Sequence, residues 1–128
     1  MSVSVEISYG ELLDKITILE IKARRLGDPG RRRHVSAELA QLEEHLREAL
    51  PAGARLTGLK RELKAVNERL WDVENRIRAK ERSRKYDREF IELARSVYLQ
   101  NDLRARIKQR INEEFGSGIV EQKEYQRY

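Results

Sequence analysis

The sequence predicts an all-α protein, an antiparallel four-helix bundle with short terminal strands that pair. Three observations lead there. Apolar residues recur at alternating spacings of four and three along most of the chain, which keeps them on one face of a helix. Charged residues fill 38% of the 128 positions, well above the ~25% of an average domain, beside only seven glycines and two prolines. The breakers that do occur gather at Gly27–Gly30 and Pro51–Gly53, and a polar turn ends at Asp87. They divide the chain into helices over 9–26, 29–49, 57–82 and 88–115. The length is that of one domain, residues 1–128, with one core.

Residues 2–8 alternate apolar and polar, with Val3, Val5 and Ile7 on one side, the period of a half-buried strand. A lone strand needs a partner. Ile119-Val120 follows Gly116-Ser-Gly118, so pairing of 2–8 with about 118–122 is expected, within one chain or between two. The first helix opens on Ser8-Tyr-Gly-Glu11, the spacing of a capping box. Its seam is Leu12, Ile16, Leu19, Ala23 and Leu26; Leu13, Ile18 and Ile21 widen the apolar surface and place this helix at the centre. Asp28 caps the second helix and Pro29 takes its first position, where a missing N–H costs nothing. Val35, Leu39, Leu42, Leu46 and Ala49 give it a coiled-coil-like seam. Thr57 is the expected cap of the third helix, whose seam is Leu59, Leu63, Val66, Leu70, Val73 and Ile77. The last two helices should each reach ~40 Å, against ~30 Å for the first two. That overhang invites a homodimer.

Composition removes several function classes. Without cysteine there is no disulfide framework, thiolate nucleophile or cysteine-based metal site. His34 and His45, eleven residues apart, are too distant to share a metal. The amino terminus lacks the basic and apolar regions of a signal peptide, and no apolar run nears the ~18 residues of a membrane span, so a cytoplasmic protein is expected. Neither metal nor cofactor is expected. The net charge of +5 is a small difference between 27 basic and 22 acidic residues mixed along the chain.

Two polar stripes stand out. On the third helix Asn67, Trp71, Glu74, Arg78 and Glu81 repeat the 4,3 spacing one residue beyond the apolar seam, so the charges can form a ladder beside an aromatic wall. On the fourth, Ile91, Ala94, Tyr98, Asn101, Ala105, Lys108, Asn112 and Phe115 form a mixed line expected to face inward. Facing each other, the stripes would make a ligand-binding cleft of Asn67, Trp71, Glu74, Arg78, Glu81, Tyr98, Asn101, Lys108 and Asn112, with Arg95 and Asp102 nearby. The plain alternative is a seam-flanking row of solvated pairs, with core-facing asparagines that fix register.

Basic clusters occur at Arg24-Arg25, Arg31–Arg33, Arg82–Arg88 and Arg104–Arg110, but acidic neighbours dilute each one and no recognition-helix motif or aromatic platform accompanies them. Nucleic acid is therefore not an expected partner. Glu11-x-x-Asp14 and Glu89-x-x-Glu92 have the spacing with which all-helical nucleotide pyrophosphohydrolases hold magnesium. Both pairs, however, lie in the first turn of a helix, where the macrodipole favours carboxylates without a metal. A bundle mutase clamping a dicarboxylate could draw on Lys15, Arg78, Arg95 and Lys108, though their spacing does not single out that class.

The chain resembles a family of small bacterial proteins classed as a domain of unknown function. The resemblance is carried by SYGELLDKITILEIK at 8–22, NERLW at 67–71, FIELARSVY at 90–98, ND at 101–102, RIN at 110–112 and GSGIVEQKEY at 116–125. It spans essentially the whole domain and implies no established activity or catalytic residue. The reading from the residues is a non-catalytic, self-associating protein-interaction module, with a second copy and another protein as partners and no membrane. A small-molecule-binding protein or small enzyme using the polar cleft is the first alternative, and nucleic-acid binding through the basic clusters is the second.

Overall fold

The computed structural model describes residues 1–116. They form four helices, α1 (Tyr9–Arg25), α2 (Pro29–Ala49), α3 (Ala54–Arg82) and α4 (Arg88–Glu114). Three of the four starts follow from side-chain caps. Ser8 accepts from the Glu11 N–H at 3.1 Å, Asp28 from that of Gly30 at 3.1 Å, and Asp87 from that of Phe90 at 3.0 Å. The start of α3 differs from expectation. It begins at Ala54 behind Gly53, which provides no side-chain cap, and Thr57 lies inside the first turn with its N–H donated to the Gly53 carbonyl. Pro51 stops α2, and the chain resumes a helix as soon as Gly53 releases it, three residues before the hydroxyl that looked like the signal.

The expected strand over 2–8 does not form, and no strand occurs among the described residues. Val3 and Val5 are 88% and 75% exposed. A strand satisfies its backbone only through a neighbour, and alternation alone supplies none. The other expected strand, 118–122, lies outside the described residues.

α1 packs against each of the other three helices, α3 and α4 pack against each other, and α2 lies against α1. The wide apolar surface of α1 is the reason: Leu12, Leu13, Ile16, Leu19 and Ile21 are all buried. The main core joins Leu13 to Leu50, Leu56, Leu59, Leu63 and Val66, and to Ile107 and Ile111 of α4. α2 buries no residue of its own. Polar pairs between α3 and α4 run from Arg55–Glu114 and Glu62–Arg110 through Arg69–Gln100 to Arg76–Glu89 and Lys80–Asp87, one number rising as the other falls. The turn between them, 83–87, holds Arg84 at φ 54°, in the left-handed region that a residue with a Cβ seldom enters.

The inward face of α4 also needs correcting. Leu93, Ile107 and Ile111 are buried, whereas Ile91, Ala94 and Tyr98 of the expected line are exposed. That line runs inward only at its carboxy-terminal end, where Lys108 and Asn112 are buried. Its amino-terminal part lies on the flank, because Leu93, Leu103, Ile107 and Ile111 offer α3 and α1 a more apolar stripe. Among the described residues, no helix is long and apolar enough to cross a membrane.

Candidate functional site

Asp14 is a carboxylate on a helix buried on several sides, and its environment was built to accept it. At ~100° per residue Gly10, Asp14, Thr17 and Ile21 fall on one line of α1, and all four are buried. Asp14 Oδ1 accepts from Asn67 Nδ2 at 3.0 Å and from Arg104 Nε at 2.9 Å, and Oδ2 accepts from Arg104 Nη2. The Thr17 hydroxyl donates to the Asp14 carbonyl at 2.9 Å and accepts the second amide hydrogen of Asn67 at 2.9 Å. Asn67 thus spends both amide hydrogens on α1, leaving its carbonyl oxygen as the group it can offer elsewhere. Such an ion pair repays its desolvation only when the remaining polar atoms are also satisfied, as they are here.

Burial alone would raise the Asp14 carboxyl. The hydrogen bonds from Arg104 and Asn67, with the charges of Arg104 and Lys108, outweigh it and hold the group below its ordinary 3.8. Lys108, itself buried, places Nζ 2.8 Å from Glu11 Oε2 and 3.8 Å from Asp14 Oδ2. One turn further along α4, Asn112 accepts the Gly10 N–H at 2.7 Å, so a side chain of α4 satisfies one of the orphan donors at the start of α1. Only a glycine permits this approach. A Cβ on residue 10 would stand 2.6 Å from the Lys108 carbonyl oxygen and 3.0 Å from Asn112 Oδ1.

Beside this network an open groove of about 680 Å³ runs between α1, α3 and α4. Asn67 and Arg104 line it with Trp71, Glu74, Asn75, Arg78 and Asn101, and Ile18, Ile21 and Leu70 supply its apolar part. Arg104 Nη1 donates to the side-chain oxygen of Asn101, Oδ1, at 3.4 Å, so the guanidinium joins the buried carboxylate to the groove. Glu74 and Arg78 face each other at 3.7 Å in the expected ladder. Both Asp14 oxygens and the Thr17 hydroxyl are committed to protein partners, so these groups hold α1, α3 and α4 in place beside the groove. Among the described residues, no group of three or more histidine or carboxylate side chains could hold a metal ion.

The structure brings together five of the residues singled out from sequence: Asn67, Trp71, Glu74, Arg78 and Asn101. It separates the others. Lys108 and Asn112 sit at the far end, against the first turn of α1. Glu81 lies exposed in the last turn of α3 and is not among the groove residues. Arg95 and Tyr98 are exposed on α4 with Arg95 Nε 3.5 Å from the Tyr98 oxygen, and Asp102, half-buried, is not among the groove residues.

At the centre of the network, Asp14 was expected only as a first-turn carboxylate and Arg104 only as part of a basic cluster, and Thr17 carried no expectation at all. A signal was present: an acid and a hydroxyl three apart within the widest apolar surface of the chain require polar partners. The basic cluster 104–110 also changes meaning. Arg104 pairs with Asp14 and Lys108 with Glu11 in part-buried contacts, and Arg110 with Glu62 at the surface, so three cations of the cluster have carboxylate partners within the chain.

No curated protein and no solved structure matches the chain. The family model described as a family of unknown function, DUF6165, matches residues 3–128, and the chain therefore belongs to DUF6165.

Proposed function

We propose that the chain is a single-domain, non-catalytic interaction module of the cytoplasm that self-associates, its consecutive helices running antiparallel. The opposed order of the α3–α4 pairs supports the antiparallel part. The observation that carries self-association is on α4, where Ile91, Tyr98 and Leu99 are 56%, 41% and 41% exposed on a helix whose opposite side is core. Grouped apolar side chains on a surface otherwise this rich in charge mark a contact with another chain. Light scattering coupled to size exclusion, from low micromolar concentration upward, tests it. A mass above that of one chain, rising with concentration, is expected; a strict monomer throughout overturns the reading.

A second reading rests on the groove, whose volume falls in the ~300–1,000 Å³ range of small-molecule sites. Trp71 offers an aromatic face, Asn67 its amide oxygen, Asn101 its amide N–H groups and Asn75 a whole amide, and the charges of Glu74 and Arg78 offset each other. That chemistry suits a neutral, planar, polar molecule. Trp71 is the sole tryptophan, so its fluorescence reports occupancy directly. A panel of nucleobases and aromatic amides that leaves both emission and melting temperature unmoved would overturn this second reading.

A further inference from the structure

We infer that two copies of the chain pair through the outward face of α4, antiparallel about a two-fold axis that passes between Tyr98 and Leu99. The inference rests on the self-association reading and specifies its surface. At ~100° per residue Ile91, Arg95, Tyr98 and Asp102 occupy an arc of about 60°, on the side of α4 away from buried Leu93, Ile107 and Ile111. Three of them, Arg95, Tyr98 and Asp102, are among the six sequence-predicted residues that the groove leaves out.

The charges on this face are arranged for a copy of itself. In an antiparallel pair centred between residues 98 and 99, Arg95 and Asp102 each stand three and a half residues from the axis, about 5 Å along the helix. Arg95 of one copy therefore lies opposite Asp102 of the other, twice. Tyr98 meets its symmetry mate on one side of the contact and Leu99 on the other, and the stem of exposed Arg106 comes level with Ile91, which it can cover. A parallel pair in the same register would set Arg95 on Arg95 and Asp102 on Asp102. The apolar side chains thus supply the association, while the charges fix its direction.

Charge reversal tests this. Arg95→Asp or Asp102→Arg alone should weaken association at least roughly tenfold in sedimentation equilibrium, and the two together should restore it. Circular dichroism checks that these surface variants keep their helices. The absence of cysteine permits an independent measurement. Under mild oxidation Leu99→Cys, beside the axis, should cross-link copies far faster than Glu113→Cys, which is level with residue 84 of the other chain. A self-associating wild type whose single reversals are silent, or whose Leu99→Cys cross-links no faster than Glu113→Cys, overturns the α4 surface and leaves self-association standing. A strictly monomeric wild type overturns both.

Discussion

Arg104 holds the Asp14 carboxylate with two of its nitrogens, although ninety positions separate the two residues in the sequence. The pair links α1 to α4, and Asn67 brings in α3 through the same carboxylate. Three helices are thereby tied at one point beneath the groove.

Removing one side of that tie should be costly. Asp14→Ala leaves Arg104 and buried Lys108 without their shared carboxylate, so a loss of about 3–5 kcal/mol in urea denaturation is expected. Arg104→Ala should cost a comparable amount. The double variant should lose less than the sum by at least ~1 kcal/mol, since each change removes the same interaction. Strict additivity would mean that the pair is uncoupled.

Acid should expose the same residue. The folded-state pKa of Asp14 lies below its ordinary value near 3.8, so on acidification the unfolded chain takes up the proton first. Its stabilisation is fully present above that value and is lost as the pH falls through the folded-state pKa. Urea midpoints measured from about pH 6 to pH 2 should drop below about pH 4 in the wild type and drop less in Asp14→Asn. Asp87 and Glu89, held low by Lys80, add an exposed contribution that this variant leaves in place.

Two glycines in helices should respond with opposite signs. Gly10→Ala drives a methyl against the Lys108 carbonyl, a backbone atom that cannot rotate away, and should destabilise by about 1–3 kcal/mol. Gly58→Ala meets nothing within 4 Å and should stabilise α3 by roughly 0.5–1 kcal/mol. Melting temperatures that shift in the same direction would refute the close approach of α1 and α4.

The charges of α2 oppose its dipole. Its first turn contains no acid, Arg31, Arg32 and Arg33 crowd the positive end, and Glu43, Glu44 and Glu48 gather near the negative end. Arg31→Glu places a carboxylate three residues after the Asp28 cap and gives up only a 4.0 Å ion pair. A gain of about 0.5–1 kcal/mol in urea denaturation is expected. No gain would mean that α2 is held entirely by its packing on α1.

The local signals in the sequence were readable for physical reasons. Ser8, Asp28 and Asp87 act on N–H groups two or three residues away, so their spacing alone locates three helix starts. Asn67 and Trp71 could be placed on one face because a single helix carries both. The partner of Asp14 could not be found in this way. From one helix, Glu11 and Asp14 look like carboxylates of a first turn; their cations come from Arg104 and Lys108, and only the packing of α1 on α4 brings these together. The same limit misplaced the inward face of α4. Ile91 and Leu93 are about equally apolar on paper, and the neighbouring helices decide that Leu93 is covered and Ile91 is not.

The ninety-residue span between Asp14 and Arg104 also bears on the order in which the chain folds. The α3–α4 hairpin closes through contacts only 7 and 13 residues apart, Lys80–Asp87 and Arg76–Glu89, whereas the tie to α1 must wait for a far longer loop to close. The hairpin should then form before α4 and α1 are joined. Loss of Asp14 should leave the folding rate nearly unchanged and quicken unfolding. The buried carboxylate would act as a latch on the finished protein, setting how long it stays folded rather than how fast it forms.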